Sequence, residues 1–184
     1  MKGLQIEAAK LLCHLFPEKY VLFEEREQPD LQFKESNIGV EVTSVNDQNF
    51  IEAASLLKQN AVLNKKRKLK SKKGVEVGEG FIISNVFCPE DVEILITKAI
   101  KRKGMISCNY KKFKSNELFI KSDFDINLMV CQNIKKCFYE ECEEFFFDVI
   151  YILSNLCLYM ISKEDIRTIF IEEKMMKEIV NCEG

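Results

Sequence analysis

The sequence predicts an α/β fold in which a mixed central sheet is flanked by helices, built as a single domain over residues 1–184. Three observations carry this expectation. A chain of 184 residues and 21.4 kDa is long enough to bury about 70% of its unfolded surface in one core. Segments with helical periodicity alternate along the chain with segments of strand alternation. One stretch near the N-terminus carries strand, turn and returning strand in unbroken succession.

The elements follow in order. Leu4, Ala8, Leu11, Leu12 and Leu15 recur at helical spacing, and Pro17 closes the segment, so residues 2–16 are predicted to form an amphipathic helix. Residues 20–23 read as a strand leading into Glu24, Glu25 and Glu27. A second strand starts in Gln28-Pro29-Asp30-Leu31-Gln32-Phe33. Lys34, Glu35, Ser36 and Asn37 supply turn chemistry, and residues 38–45 alternate, with Ile38, Val40 and Val42 on one face and Glu41 and Thr43 on the other. Asn46 or Asp47 can cap a helix whose apolar positions are Phe50, Ala53, Ala54, Leu57 and Ala61. Gly74, Gly78 and Gly80 within a basic run mark residues 64–80 as a loop or insertion ahead of Phe81-Ile82-Ile83-Ser84. Pro89-Glu90-Asp91 then opens a helix reaching Lys103, and residues 117–120 read as another strand. Residues 121–184 form a C-terminal extension: 128–145 mostly helical, 147–153 and 157–161 a strand pair turning at Ser154-Asn155, and 163–180 a final helix.

Composition narrows the function classes. With 47% hydrophobic and 30% charged residues, 7 Gly and 3 Pro, the chain is neither disordered nor collagen-like. The apolar run 145–153 is interrupted by Asp148 and too short for a bilayer, and the N-terminal segment has no signal-peptide core, so a cytoplasmic protein with no membrane partner is expected. The 8 cysteines include no Cys-x-x-Cys pair, which reads as core packing rather than a zinc cluster; Cys131 and Cys142, eleven apart, are expected on one helix face.

The net charge of −2 conceals an asymmetry. Residues 58–114 hold 15 Lys or Arg against 5 Asp or Glu, a net +10, which leaves −12 elsewhere. The densest stretch is Lys65, Lys66, Arg67, Lys68, Lys70, Lys72 and Lys73, enough positive charge to bind a nucleic acid, most simply DNA, through counterion release; a solvated helix end plus a mobile loop is the alternative.

Chemistry gathers around the hairpin. If the four-residue loop holds, partners sum to 71, so Phe33 faces Ile38 and Asp30 faces Glu41, with their side chains about 4.5–5.5 Å apart on one surface. Like charges so placed call for a proton or a cation between them. A divalent cation suits two hard carboxylates beside a basic surface; a register slip that leaves both acids in solvent is the alternative. Glu7 projects beside Leu4 and Leu11 at the margin of the buried face and needs a partner, a metal or, more simply, His14 seven residues on.

Glu7 on a first helix, Pro29-Asp30 entering a hairpin and Glu41-Val42-Thr43 on its return strand resemble the core of the PD-(D/E)XK nuclease superfamily. The chain as a whole is similar to small uncharacterised bacterial members. The resemblance implies a restriction-endonuclease-like αβββαβ core, Mg²⁺ or Mn²⁺ held by Glu7, Asp30 and Glu41, and a lysine two residues after the last acid. That position is Thr43. Lys103 is the best substitute, because it shares the helix face of Val92, Leu95, Ile96 and Ala99, the alternative being an end-of-helix lysine that snorkels to solvent; Lys98 and Lys101 project outward.

Other chemistry does not assemble. Gly78-Glu79-Gly80 lacks the rest of a phosphate loop, no Gly-x-Ser-x-Gly or His-Glu-x-x-His occurs, and adjacent Cys13 and His14 diverge by about 100° on a helix. The expectation is therefore a divalent-metal-dependent, DNA-endonuclease-like phosphodiesterase with Asp30, Glu41 and Lys103 as catalytic residues. A homodimer is compatible with it. The competing expectation is a nuclease fold without catalysis that binds nucleic acid or a protein partner.

Overall fold

A computed structural model describes residues 2–26, 28–46, 69–70, 76–77, 82–83, 89–107, 109–110 and 112–181. The helix expected around Phe50 to Ala61 and the basic run 65–73, apart from the backbone of 69–70, lie outside the described residues. So does most of the remaining 64–80 segment.

The chain opens with α1 (Lys2–Leu15), followed by the short strands β1 (Phe23–Glu25) and β2 (Leu31–Phe33) and the long β3 (Ile38–Val45). Three two-residue strands, β4 (Leu69–Lys70), β5 (Glu76–Val77) and β6 (Ile82–Ile83), pair into a small antiparallel sheet of their own. Then come α2 (Pro89–Ser107), β7 (Ser115–Ser122), α3 (Leu128–Lys135) with a π-helical turn over Lys136–Glu140, β8 (Val149–Ser154), β9 (Cys157–Ser162), β10 (Ile166–Phe170) and α4 (Glu173–Asn181).

The main sheet has seven strands in the order β1-β2-β3-β7-β8-β9-β10. β3, β7 and β8 run parallel, and the strands on either side of them are antiparallel. This mixed sheet is the predicted class. Its middle explains why Ile38–Val45 does not follow an in-out pattern. Both faces of β3 are covered, so seven of its eight residues are buried, as parallel strands inside an α/β sheet require.

Each face has its own core. On one, α1 (Ala8, Leu11, Leu12) and α4 (Ile179) pack on Val40, Val42, Phe119, Tyr151 and Leu158. On the other, α2 (Val92, Ile96, Ile100) and α3 (Val130, Cys131, Ile134) pack on Leu118, Ile120, Ile150, Ile152 and Ile161. Val92, Ile96 and Ile100 are almost fully buried, which fixes the rotation of α2 about its axis and thereby the direction of every other side chain on it.

Several elements differ from expectation. The first strand begins at Phe23 rather than at residue 20, because Tyr20 turns its ring into the core and its hydroxyl into a buried polar cluster. The helix predicted to reach residue 145 gives up α-helical geometry at Lys136 and ends at Glu140. Cys142 therefore lies beyond it, exposed, while Cys131 is buried, so the two do not share a helix face. Burial pushes the Cys131 thiol up to about 12, as befits a packed, unreactive side chain. The final helix predicted over 163–180 is two elements: Ile166–Phe170 pairs with β9 as the sheet's edge strand, and the helix starts only at Glu173. No helix among the described residues is long and apolar enough to cross a membrane.

Candidate functional site

The hairpin has the register that alternation predicts. Leu31 pairs with Val40, Gln32 with Gly39 and Phe33 with Ile38, which places Asp30 across from Glu41 one step beyond the ladder. The turn is closed by Asn37 at φ 53°, a left-handed conformation that Asn tolerates better than most residues, with its N–H donating to the Lys34 carbonyl at 3.2 Å. Close packing reinforces it. A Cβ on Gly39 would lie 2.8 Å from both Pro29 and the Phe113 ring, so the absence of a side chain there lets Pro29 settle against β3 and carry Asp30 with it.

Asp30 is then held from three sides. Its Oδ2 accepts the Val42 backbone N–H at 2.8 Å, its Oδ1 accepts from Gln5 Nε2 of α1 at 2.7 Å, and Lys103 Nζ of α2 lies 3.3 Å from Oδ2. Glu41 is more deeply placed, its side chain only 3% exposed, and its Oε2 accepts from Lys103 Nζ at 2.5 Å. The second oxygen of that carboxylate, Oε1, is buried and has no hydrogen-bond partner among the described residues. Such an atom costs about 1–3 kcal/mol to leave unsatisfied.

The electrostatics follow from these contacts. Burial pushes the Glu41 carboxyl above its ordinary range and Asp30 pushes it further, against the pull of Lys103. Burial works against the Lys103 ammonium, but the two carboxylates prevail and raise it. Tyr110 stands close by: burial and Glu41 raise its phenol. Thr43, two residues beyond Glu41 on β3, is buried and accepts from Arg102 Nη2 at 3.4 Å.

The structure thus brings together Asp30, Glu41 and Lys103, and it puts Glu7 elsewhere. Lys121 Nζ donates to both Glu7 oxygens at 2.7 and 2.8 Å. Lys121 pairs with Ser44 on the α1 face of the sheet, whereas Glu41 pairs with Leu118 on the α2 face. His14 is exposed and is not the partner of Glu7. Among the described residues no group of three or more His, Cys, Asp or Glu converges as a metal-binding set. Of the nucleic-acid-binding residues expected from sequence, Lys65, Lys66, Arg67, Lys68, Lys72 and Lys73 lie outside the described residues, and Lys70 is described only as backbone in β4.

Sequence reasoning missed Gln5, Arg102 and Tyr110. Gln5 is a polar residue one turn into α1 with nothing in its spacing to mark it. Arg102 is hidden in a run of cations, and Tyr110 lies in the short connection before β7. No family model, curated protein or solved structure matches the chain.

Proposed function

We propose that the protein is a divalent-metal-dependent phosphodiesterase acting on DNA, with its centre at Asp30, Glu41 and Lys103. The observation that carries this reading is the pair of carboxylates set face to face by the hairpin, one with a buried oxygen that has no hydrogen-bond partner among the described residues, with a lysine amine between them. Apart from the small sheet β4–β6 set between β3 and α2, the order α1-β1-β2-β3-α2-β7, with β7 parallel to β3, supports a restriction-endonuclease-like αβββαβ core.

The donors suit Mg²⁺ or Mn²⁺. Both ions take hard oxygen ligands, commonly one or two carboxylates, and leave the rest of their shell to water and substrate phosphate. The Asp30 and Glu41 carboxylates would hold the ion. When bound, it supplies Lewis-acid polarisation of a phosphoryl oxygen and a water acidified toward neutral pH.

The remaining work falls to the chain's own residues. The Val42 N–H and the Gln5 amide fix the direction of Asp30, so the carboxylate is oriented before anything binds. Lys103 comes from α2 rather than from β3, on a helix locked by Val92, Ile96 and Ile100. From there its ammonium reaches the cluster that Thr43 cannot serve, and it would donate hydrogen bonds to the negative charge that grows on the phosphate oxygens.

Cleavage of supercoiled and single-stranded DNA by wild type, Asp30→Asn and Lys103→Met, with Mg²⁺ or Mn²⁺, tests the proposal. Metal-dependent cleavage by the wild type that falls by about 100-fold or more in each variant is the expected result. Equal cleavage by wild type and variants overturns it. The catalytically silent alternative is favoured by one feature, the salt bridge of Lys103 to both acids, which balances part of their charge without a metal. It predicts DNA binding with no metal-dependent cleavage.

A further inference from the structure

Arg102 differs from Lys103 and Lys121 in what it touches. Lys103 is engaged by two carboxylates, and Lys121 by Glu7. The Arg102 guanidinium instead spends one N–H on a neutral acceptor, the Thr43 hydroxyl, and among the described residues it has no carboxylate partner. Among the described residues the guanidinium makes no ion pair within 4.0 Å, and one of its five N–H donors is used there, on Thr43. The residue is exposed, yet its tip is tied to a buried threonine two residues along β3 from Glu41.

The helix explains how this placement arises. On α2, Lys103 falls among the core-facing residues, while Arg102, about 100° away, lies at the flank where that face meets solvent. Lys98 and Lys101, both exposed, continue the outer side of the same helix. A planar fork of donors held against Thr43, two residues along β3 from Glu41, suits a phosphate oxygen pair better than a lysine would.

We propose that Arg102 binds the phosphodiester backbone immediately beside the bond to be cut, and that Thr43 is the residue that positions it. This assignment rests on the phosphodiesterase reading above. It gives the Thr43 position a role: in place of a lysine supplied by the strand, the hydroxyl anchors a cation supplied by the helix. Lys98 and Lys101 would extend the contact along the same strand of backbone.

The test is DNA binding as a function of salt in the full chain, carried in the Glu41→Gln background so that no strand is cut, with a fluorescent 20-base-pair duplex as probe. Adding Arg102→Ala should weaken binding about tenfold and lower the slope of log affinity against log salt by about 0.9, the signature of one lost phosphate contact. Arg102→Lys, which keeps the charge, should restore the slope. Thr43→Val should leave the slope intact and, in the wild-type background, reduce the cleavage rate with little change in KM. Unchanged affinity and slope in the alanine variant, with the parent binding DNA normally, would overturn the role of Arg102 and leave the phosphodiesterase reading standing. A parent that binds no DNA at any salt concentration would overturn both.

Discussion

The two faces of the sheet each bury a glutamate beside a lysine, and they treat it in opposite ways. On the α1 face, Glu117 is fully buried and fully engaged. Its Oε1 accepts from Lys19 and from Ser115, both at 2.8 Å, and its Oε2 accepts from the Tyr20 hydroxyl, which in turn hydrogen-bonds Tyr151. Lys19 also donates to the Tyr151 hydroxyl at 3.1 Å and lies over both tyrosine rings. On the α2 face, Glu41 is almost as deep, yet among the described residues it has one hydrogen-bond partner on one oxygen, none on the second, and a neighbouring carboxylate that repels it. Burial is common to both and distinguishes nothing. A satisfied network is what a fold uses to specify itself, and an unsatisfied one is what a fold keeps when a ligand is to complete it.

The sharpest contrast is in stability. Glu117→Ala removes the acceptor from Lys19, Tyr20 and Ser115 together, leaves the buried Tyr20 hydroxyl short of a partner, and should cost about 3 kcal/mol, the upper end for hydrogen bonds to a charged acceptor. Glu41→Gln should stay within about 1 kcal/mol of wild type, because the change also removes a repulsion. Urea unfolding of both variants decides this. A large loss in Glu41→Gln would make the two carboxylates equivalent and erase the distinction.

Packing at the hairpin comes next. Gly39→Ala drives a Cβ into Pro29 and Phe113 and should destabilise by about 1–3 kcal/mol. Because Pro29 carries Asp30, the same variant should weaken Mn²⁺ binding, whereas a substitution in the Glu117 network should not do so beyond its effect on folding. Calorimetry on the folded protein separates the two.

Lys103→Met is expected to act on affinity. Without the ammonium between them, Asp30 and Glu41 are left with only each other, and Mn²⁺ should bind about tenfold more tightly, equivalent to about 1.4 kcal/mol, while cleavage is lost. Unchanged or weaker binding would show that Lys103 and the ion do not compete for one place.

The smallest effect concerns pH. Burial and Asp30 hold the Glu41 carboxyl above its ordinary value of 4.5, so the native state binds its proton more tightly than the unfolded chain. The stability this contributes is complete below that value and is lost as the pH rises through the native-state pKa. Measured in chelator, wild type should therefore gain on Glu41→Gln between pH 8 and pH 4. The reverse trend would mean that Lys103 governs the carboxyl.

Much of the site was legible because it depends on two short-range rules. Strand alternation and a four-residue turn fix the register that sets Asp30 against Glu41, and helical phase fixes Lys103 among Val92, Ile96 and Ala99. What was not legible depends on distant packing. Tyr20 looks like a strand residue until Glu117, 97 residues away, gives its hydroxyl a partner. Glu7 looks like a ligand or a partner for His14 until β7 brings Lys121 beside it. β10 was missed because Ile166–Phe170, at the edge of the sheet, carries Arg167 and Thr168 exposed and Phe170 83% exposed, so no buried face announces a strand.

The most direct test of the central claim is a calorimetric titration of Mn²⁺ into wild type, Asp30→Asn and Glu41→Gln. A single binding event in the wild type that disappears in both variants, with all three proteins equally folded, is the predicted result. Absence of binding in the wild type, or binding that survives both substitutions, would contradict the assignment of the facing carboxylates as a metal site.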